Sequence, residues 1–522
     1  MSLVEGHFFL TTFCIGSTLL FLKAKQEPMP TAPEKGIWKI ITASSVGTLI
    51  EWYDFYIFGS LSTIIAAKFF PSENPTAALL STLATFAAGF IVRPFGALVF
   101  GRLGDIIGRK YTFLLTLILM GTSTFLIGLV PTYAAIGALA PILVLLLRLV
   151  QGLALGGEYG GAATYVAEHA PVHRRGFYTS WIQTTATLGL FLSLGVILSI
   201  RRIVGVQDFE NGNGWRAPFL LSIVLVIVSI IIRLKMSESP LFSKLKSEGK
   251  TSVNPIKESF GHKLNFKMVL LALFGATMGQ GVIWYTGQFY AQSFLLTKCF
   301  IDYEQANTII LIALVIATPF FIVFGSLSDR WGRKNIMMIG MLLGVLLYRP
   351  IFQQLYNLSD TSKKIVTEQS INLDKSKVVL NASDSSTIKS FDDGSRLTIT
   401  NKANAKGERE TKKVLVLGNS PKLKMIFLIA IMVLFVTMVY GPIAAFLVEM
   451  FPTKIRYTSM SLPYHIGNGI FGGLVPFIAT LITTIPGSNP LSGLWYPIIV
   501  ASLCFIIGSL YLSNKMDEDV TD

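Results

Sequence analysis

The sequence predicts an all-α membrane protein with twelve transmembrane helices in two six-helix halves. The first observation is composition: 52% of the 522 residues are hydrophobic and only 14% are charged, whereas soluble proteins contain about 25% charged residues. The second is a series of apolar runs of about 18 residues or more, which are long enough to cross a bilayer as helices. The predicted helices are 38–66, 77–100, 111–130, 133–158, 178–200, 217–233, 267–292, 305–325, 335–350, 424–447, 459–484 and 492–513.

Polar stretches divide the chain into regions. An apolar run at 8–22 is short for a span and follows no basic residue. It is an extra interfacial or thirteenth helix, a disordered leader or the result of an early start codon, and we favour the last two. The predicted regions are an N-terminal leader at 1–36, an N-terminal six-helix bundle at 37–233, a cytoplasmic central loop at 234–266, a C-terminal six-helix bundle at 267–515 with an outer insertion at about 357–420, and a short tail at 516–522.

The lysines and arginines predict the orientation. With the N-terminus inside, 23 of the 44 basic residues fall on the cytoplasmic side, five in short outer loops and 14 in the long outer stretch. A stretch of that length escapes the positive-inside rule. The remaining two, Arg93 and Arg148, lie within predicted helices. The formal net charge of +14 is therefore mostly positive-inside bias rather than a nucleic-acid surface, and both termini are predicted to be cytoplasmic.

Two repeated motifs predict that the halves are duplicates. The spacing G-x3-D-x2-G-R-K begins at Gly101 and again at Gly325, 224 residues apart, and E-x2-P-x3-R begins at Glu168 and Glu449, 281 residues apart. The two separations differ by 57 residues, close to the length of the polar stretch after the ninth helix. The second half therefore carries an insertion, which is either a small cap of short strands or a disordered loop.

These motifs resemble the major facilitator superfamily, and further strings resemble its metabolite:proton symporters. The resemblance covers about 37–515 outside the insertion. It implies the major facilitator fold and transport of a small carboxylate or zwitterion together with a proton. The tail after Leu512 has no heptads, which speaks against the osmosensing proline/betaine branch. The strings are EWYDFY from Glu51, RLVQGLALGGE from Arg148, WRAP from Trp215 and FPTKIRYTSMSLPYH from Phe451.

Ionisable residues inside the first six predicted helices are candidates for a polar cavity, because a charge near the bilayer centre needs a partner or water. A guanidinium at Arg148 or Arg93 suits a carboxylate, and Asp54 or Glu51 suits a proton. The alternative is that these arginines and acids only pair with each other and hold helices together. The candidates in this half are Glu51, Asp54, Arg93, Arg148, Gln151 and Glu158.

The predicted helices of the second half carry amide and aromatic side chains and a histidine where those of the first half carry charged ones. Aromatic and amide side chains on the seventh and eleventh helices would complete a substrate cage, and His465 is a second proton-carrier candidate. The alternative is hydrogen bonding between helices together with small-residue packing. The candidates are Gln280, Trp284, Tyr285, Gln288, Tyr464, His465 and Asn468.

The repeated motifs predict a cytoplasmic gate. Glu168 and Glu449 end their helices, where an anion is disfavoured by the helix dipole, so each is expected to pair with a cation. Arg109 and Arg333 are the expected partners, as the resemblance also implies, and such pairs would break as the gate opens. The predicted gating residues are Gly101, Asp105, Arg109, Glu168, Gly325, Asp329, Arg333 and Glu449.

The predicted function is proton-coupled symport of a small carboxylate or zwitterionic metabolite by alternating access. The alternatives are a sugar or efflux transporter of the same superfamily, or a non-transporting membrane sensor that uses the outer insertion.

No HExxH, GxSxG or P-loop motif is present, so an enzyme is not predicted. Three cysteines and five scattered histidines predict no metal site, and no cofactor is expected besides the coupling proton. We expect a monomer in the bacterial inner (plasma) membrane, with a small-molecule substrate and no nucleic acid.

Overall fold

The computed structural model describes most of the chain between the first predicted helix and the last. The apolar run at 8–22, the tail at 516–522 and part of the central loop lie outside the described residues, so what we infer for them remains a prediction. The described residues are 34–70, 75–234, 243, 246–249, 254–373, 385–403, 409–452 and 455–514.

Twelve long helical segments fill the described chain where the sequence predicts them. Eleven are long and apolar enough to cross a membrane. The other is the first, which carries two acids at its middle and continues beyond Leu61 as Ser62–Phe69. The segments are α1 Glu34–Ser60, α2 Ala77–Ile106, α3 Lys110–Leu129, α4 Leu139–His169, α5 Val172–Val204, α6 Gly214–Leu234, α7 Lys263–Thr297, α8 Tyr303–Trp331, α9 Arg333–Ser359, α10 Asn419–Met450, α11 Arg456–Ile482 and α12 Ser492–Tyr511.

Several segments are interrupted near the candidate residues. In α2 the helix stops at Ile91 and restarts at Arg93, because Pro94 has no N–H to continue the hydrogen bonding. Two π-helical turns interrupt α7, and a third, Ile466–Gly472, interrupts α11. Such turns shift the side-chain register and are frequent at functional sites.

Two helices differ most from their predicted bounds. The run predicted at 133–158 forms a short helix, Tyr133–Ile136, before α4, and α4 continues to His169. The ninth helix extends beyond 350, through Pro350, to Ser359. Its last turns are richer in polar residues, so the apolar run used for prediction ends before the helix does.

The two halves meet through equivalent helices. In the first half α1 packs along α5 and α6, and in the second α7 packs against α11 and α12. Between the halves, α2 packs against α11 and α5 packs against α8. Each of these cross-contacts pairs the second helix of one half with the fifth helix of the other, as a duplicated architecture requires.

The outer insertion forms a four-stranded antiparallel sheet, so the strand alternative is confirmed for the described residues. The strands are β1 Val366–Leu373, β2 Ser385–Phe391, β3 Arg396–Ala403 and β4 Arg409–Val416, paired in sequence order. The end of β4 joins the connection between α7 and α8, where the Leu415 N–H donates to the Phe300 carbonyl at 2.7 Å. We call this sheet the cap, and the end of the bundle beneath it the cap end.

Candidate functional site

All six candidates in the first half are buried inside the bundle, at 0% exposure except for Glu158 at 2%. The middle of α1 supplies two of them together with a run of aromatic side chains. Because α1 packs along α5 and α6, these side chains face protein instead of lipid. The six residues are Glu51, Asp54, Arg93, Arg148, Gln151 and Glu158.

An ion cluster joins three helices of the first half. Arg233, in the last turn of α6, donates from one nitrogen, Nη2, to Glu51 at 2.6 Å and to Glu158 at 2.5 Å. Its other terminal nitrogen donates to the Phe113 carbonyl at 3.0 Å. The internal ion pairing named as the alternative is therefore observed for the two glutamates, with Arg233 as their partner. Sequence reasoning missed Arg233, because it stands at a helix end and was assigned to the basic cytoplasmic side.

Two further arginines lie against a single aromatic ring. The guanidinium carbons of Arg93 and Arg148 are 4.4 and 4.2 Å from the centre of the Phe55 ring. Within the described chain, no carboxylate lies within salt-bridge distance of either arginine. Cation–π contact compensates part of the desolvation of a guanidinium. The alternative in which these arginines pair with acids is therefore not observed in the described residues, and Phe55 is a contact of both arginines that the sequence did not reveal.

Gln151 positions one of these arginines. Its Oε1 accepts from Arg148 Nη1 at 2.6 Å, and its Nε2 donates to Thr124 at 2.7 Å. Gln151 and Arg148 share a face of α4, as their spacing predicts, whereas Glu158 lies beyond Gly157, where the helix is interrupted. Both oxygens of Asp54 are buried, and no donor in the described residues reaches them.

A small cavity lies between the halves at this level. It is narrow, and both Arg93 and Glu158 line it. The second half contributes Tyr464 and His465. The lining is Thr48, Trp52, Arg93, Leu155, Glu158, Tyr159, Tyr464 and His465.

The candidates of the second half form an aromatic wall. Trp284 stacks on Tyr56 of the first half at 5.7 Å between ring centres and contacts Tyr285 at 4.8 Å. Tyr285 meets the ring of Phe90, which itself lies 4.0 Å from the Arg93 guanidinium. The wall therefore places second-half rings beside first-half cations.

The amides of this wall are largely occupied. Gln280 and Asn468 exchange two hydrogen bonds, at 3.1 and 2.6 Å, which is the helix-to-helix bonding named as the alternative. Gln288 donates to Thr187 of the first half at 3.4 Å. His465 is buried against the edge of Tyr464, with 5.1 Å between ring centres.

A tyrosine stack closes the cavity between the halves. The ring of Tyr159 on α4 lies 3.5 Å from that of Tyr464 on α11 and parallel to it within 5°. The Tyr464 hydroxyl is 2.8 Å from that of Tyr440, and Gln183 donates to Tyr159 at 2.6 Å. Sequence reasoning named only Tyr464 of these four residues, because it searched α4, α5 and α10 for ionisable residues and gave no role to their tyrosines or to Gln183.

The repeated motifs lie together at one end of the bundle, which we call the motif end. Asp329 of the second half accepts from the N–H groups of Gly176 and Phe177, each at 2.9 Å, at the start of α5. Asp105 of the first half accepts from the Thr458 N–H and hydroxyl, at 3.3 and 2.6 Å, at the start of α11. A carboxylate at a helix N-terminus is stabilised by the dipole and the free N–H groups. Each half therefore holds the other by the same contact.

Glycines permit this close approach. A methyl group at Gly325 would collide with Ser180 and Gly176 across the interface, and one at Gly101 would contact Thr458. The second glycine of each motif, Gly108 and Gly332, has φ of 130° and 90°, a conformation that favours glycine. The repeated spacing thus has a backbone reason.

The predicted gate pairs are observed in part. Arg333 binds Glu449 through two bonds, at 3.0 and 3.2 Å, and also binds Asp329. This pair lies within the second half, so it supports Asp329 and does not itself join the halves. Glu168 lies 3.5 Å from Arg456 of the second half, and that pair does cross the interface. The Arg109 side chain lies outside the described residues, so its pairing remains a prediction.

The cap end carries a latch that the sequence did not indicate. Glu304 at the start of α8 binds Arg202 at 2.5 Å and Arg201 at 3.4 Å, both at the end of α5. Tyr303 donates to the Ser60 carbonyl at 3.0 Å. These bonds join the halves opposite the motif end, so contacts close the cavity from both ends.

Buried charges around a cavity between two duplicated six-helix halves are typical of a secondary transporter. This chain belongs to the sugar (and other) transporter family of the major facilitator superfamily, whose profile matches residues 39–368. The resemblance indicated by the motifs is thereby confirmed.

Relatives support the same family. The α-ketoglutarate permease of Escherichia coli (strain K12) is 31% identical over 479 residues, which cover 92% of this chain and 94% of the permease. A proline/betaine transporter of Salmonella typhimurium is 36% identical over 327 residues, or 60% of this chain, so the match spans 64% of that transporter's length. The xylose transporter XylE of E. coli, solved in a partially occluded inward-open conformation, superposes with a TM-score of 0.62 at 18% identity. That match covers 92% of this chain and 98% of XylE, and it establishes the fold alone.

Proposed function

We propose that this transporter is a symporter that moves a small carboxylate or zwitterionic metabolite together with a proton, by alternating access between its halves. The observation that carries the proposal is the pair of buried guanidiniums, Arg93 and Arg148, that lie against one cluster of rings. The third arginine at this depth, Arg233, is neutralised by two glutamates. The first two have no carboxylate partner in the described chain.

A carboxylate on the substrate would complete this charge arrangement. A guanidinium binds a carboxylate through two parallel hydrogen bonds, and burial makes that pairing selective. Arg93 lines the cavity directly, whereas Arg148 does not line it and is held against Phe55 by Gln151. The full-length similarity to an α-ketoglutarate permease agrees with a carboxylate substrate, and the proline/betaine relative keeps a zwitterion in the proposal.

A sugar substrate is less well supported by this site. Sugar hydroxyls are bound by amides and aromatic rings, but the Gln280 and Asn468 amides already bond to each other. The alternative of a sensor that uses the cap can be tested by deletion. The cap contacts the α7–α8 connection, and none of its described residues lines the cavity, so removing it leaves the cavity lining in place. Deleting the cap should leave uptake intact in a transporter and abolish ligand response in a sensor.

We place the protein in the bacterial inner membrane with the motif end facing the cytoplasm, in agreement with the distribution of basic residues. Rocking of the halves would break the Asp105 and Asp329 contacts to open one side, and the Glu304 latch to open the other. One proton per monoanion makes the cycle electroneutral, so each unit of pH gradient would support about tenfold accumulation. For a zwitterion the membrane potential adds ~2.3 kcal/mol per 100 mV.

The test is uptake by the purified protein in liposomes, with and without an imposed pH gradient. The panel contains mono-, di- and tricarboxylates, zwitterions and sugars. We expect accumulation of a carboxylate or zwitterion that collapses when the gradient is removed. Arg148→Lys and Arg93→Lys should each reduce it at least about tenfold, because an ammonium cannot form the planar bidentate contact.

The matched control is Arg396→Lys, at an exposed position in the cap, which should behave as wild type. Normal accumulation by both site variants would contradict the proposed carboxylate site. Gradient-driven uptake of sugars alone would replace the proposal with sugar symport.

A further inference from the structure

We propose that Glu51 and Glu158, bridged by Arg233, form the proton-binding site of the transport cycle, with Arg233 as the residue that positions the two carboxyls. This inference rests on the proposed function and names its proton carrier. Sequence reasoning named Asp54 and Glu51 as candidate proton carriers in the first half, and this inference keeps Glu51 and replaces Asp54 with Glu158.

The geometry concentrates two acids on one cation. Both carboxyls accept from the same nitrogen of Arg233, at 2.6 and 2.5 Å, and the other terminal nitrogen is engaged by a backbone carbonyl. Gly47 leaves room for the guanidinium, because a methyl group there would lie 2.9 Å from Nη2. The bridge is therefore a defined arrangement with a fixed stoichiometry of two carboxyls to one guanidinium.

The charge of this arrangement leaves one proton site. With both acids ionised, the three side chains carry a net charge of −1 in a place where all are buried. A net buried charge is costly, whereas one added proton makes the cluster neutral. The proton can be shared by the two carboxyls, which then titrate as a pair. The Oε2 atom of Glu51 accepts no hydrogen bond from the described residues and has a free lone pair for it.

The groups around the cluster do not change the net charge of its three side chains. Arg93 on α2 lies across the cavity and is assigned to the substrate. Facing neighbours on α4 and α11 are Tyr159, Tyr464 and His465, and on α1 the polar neighbour is Thr48. Asp54 does not line the cavity and has no cation partner within the described chain. Asp54 is therefore separate from both the cavity and the Arg233 bridge.

Coupling follows from the shared cavity. Glu158 and Arg93 line the same space, so a substrate carboxylate bound to Arg93 lies near the Glu158 carboxyl. Like charges at close range in a dry site repel strongly. Protonating the pair removes that repulsion, and therefore substrate and proton bind together and leave together. The step moves one proton onto a carboxylate oxygen and forms no other bond.

The experiment uses infrared difference spectra of the full-length protein in liposomes without substrate, titrated from about pH 5 to about pH 9. This range extends to both sides of neutral pH. The readout is the C=O stretch of a protonated carboxylic acid, with its shift in D2O. Wild type should show one titrating band. Glu51→Gln and Glu158→Gln should each abolish it, because the remaining acid then forms an ordinary one-to-one pair with Arg233 and stays ionised.

Three further variants make the result specific. Arg233→Lys keeps a cation and should retain the band, whereas Arg233→Gln should shift or remove it. Asp208→Asn, at an exposed position, should leave both the band and the accumulation unchanged. In transport, Glu158→Gln should lower the accumulation ratio under a one-unit pH gradient from about ten to about one. Circular dichroism checks that each variant is folded, and Glu158→Asp, which should keep the band, replaces any glutamine variant that is not.

The inference is overturned by a titrating band that survives in either glutamine variant, or by one that disappears in Asp54→Asn instead. Absence of any titrating band in wild type would also overturn it. If the band behaves as expected but wild type transports nothing on the panel, the proposed function fails and the proton site stands. The spectroscopic readout thus separates the two proposals.

Discussion

The two halves carry different chemistry at equivalent depths. In the first half, the residues around the cavity are ionic: two arginines lie on Phe55, and a third binds two glutamates. In the second half, Trp284, Tyr285 and Tyr464 provide rings, and Gln280 and Asn468 bond to each other. The charged residues of the second half that are described as buried, such as Arg333 and Glu449, lie at the motif end.

This difference teaches how a duplicated fold divides its work. Both halves keep the contacts that close the motif end, because Asp105 and Asp329 each accept hydrogen bonds at the start of a helix in the other half. At the cavity the constraint is different, since a second set of buried charges would need its own partners. We infer that the first half recognises the charge of the substrate and that the second half recognises its shape.

The largest effect that would sharpen this comparison is expected at Arg93. Arg93→Gln removes a buried cation that faces the cavity and should lower uptake at least about 100-fold, equivalent to about 2.7 kcal/mol. The matched change in the second half is the double variant Gln280→Leu with Asn468→Leu. It removes both partners of one bond, which is often nearly neutral, and should cost less than about tenfold. Initial uptake rates in liposomes measure both, and equal losses would break the proposed division.

A smaller effect is expected where the halves are alike. Asp329→Asn and Asp105→Asn each remove a charge from a helix start, worth about 0.3–1 kcal/mol or more when buried. Both should shift the protein away from the state closed at the motif end. Asp329→Asn should have the larger effect, up to about tenfold in uptake, because Asp329 also binds Arg333. Accessibility of cysteines introduced at the motif end reports the shift, and an effect of one variant only would argue against equivalent roles.

Trp284 tests the shape function of the second half. Trp284→Phe replaces the indole that stacks on Tyr56 by a smaller ring. An aromatic pair contributes about 0.5–1.5 kcal/mol to the free energy of packing. We expect KM to rise about threefold to tenfold with little change in the pH dependence of uptake. A change in proton coupling instead would mean that the second half also takes part in charge handling.

The smallest effect is expected in the cap, outside both halves. Burial opposes ionisation of Asp393, but hydrogen bonds from Lys364 and Ser395 outweigh it and hold the pKa of this carboxyl below its usual range. Its contribution is therefore present above the unfolded pKa of about 4 and is lost as the pH falls through the lower folded value.

Asp393→Asn should accordingly destabilise the cap by less than about 1 kcal/mol at neutral pH and by nothing in strong acid, since the pair is partly exposed. Thermal unfolding at the two pH values measures this, with the exposed Asp392→Asn as control. Uptake should be unchanged. A loss of uptake would tie the cap to the transport cycle through its contact with the α7–α8 connection.

Much of the fold was predictable because its signals are local in the chain. Apolar length gave the spans, and the repeated spacing gave the two halves and located the insertion. The glycines at 108 and 332 adopt positive φ wherever the motif occurs, so the turn is encoded by the motif itself. Helix interruptions were less predictable, because π-helical turns leave no clear mark in hydrophobic periodicity.

The sequence by itself determined which helices contain charge: it placed an acid pair on α1 and arginines on α2 and α4, since few ionisable residues interrupt apolar runs. Only the tertiary structure decided which charges neutralise each other. Arg233 and Glu51 are 182 residues apart and meet because α6 packs against α1, and Glu168 meets Arg456 because α4 lies beside α11. Hydropathy along the chain indicates which residues lie in membrane-spanning helices. Which charged side chains pair depends on distances between helices that are far apart in the chain.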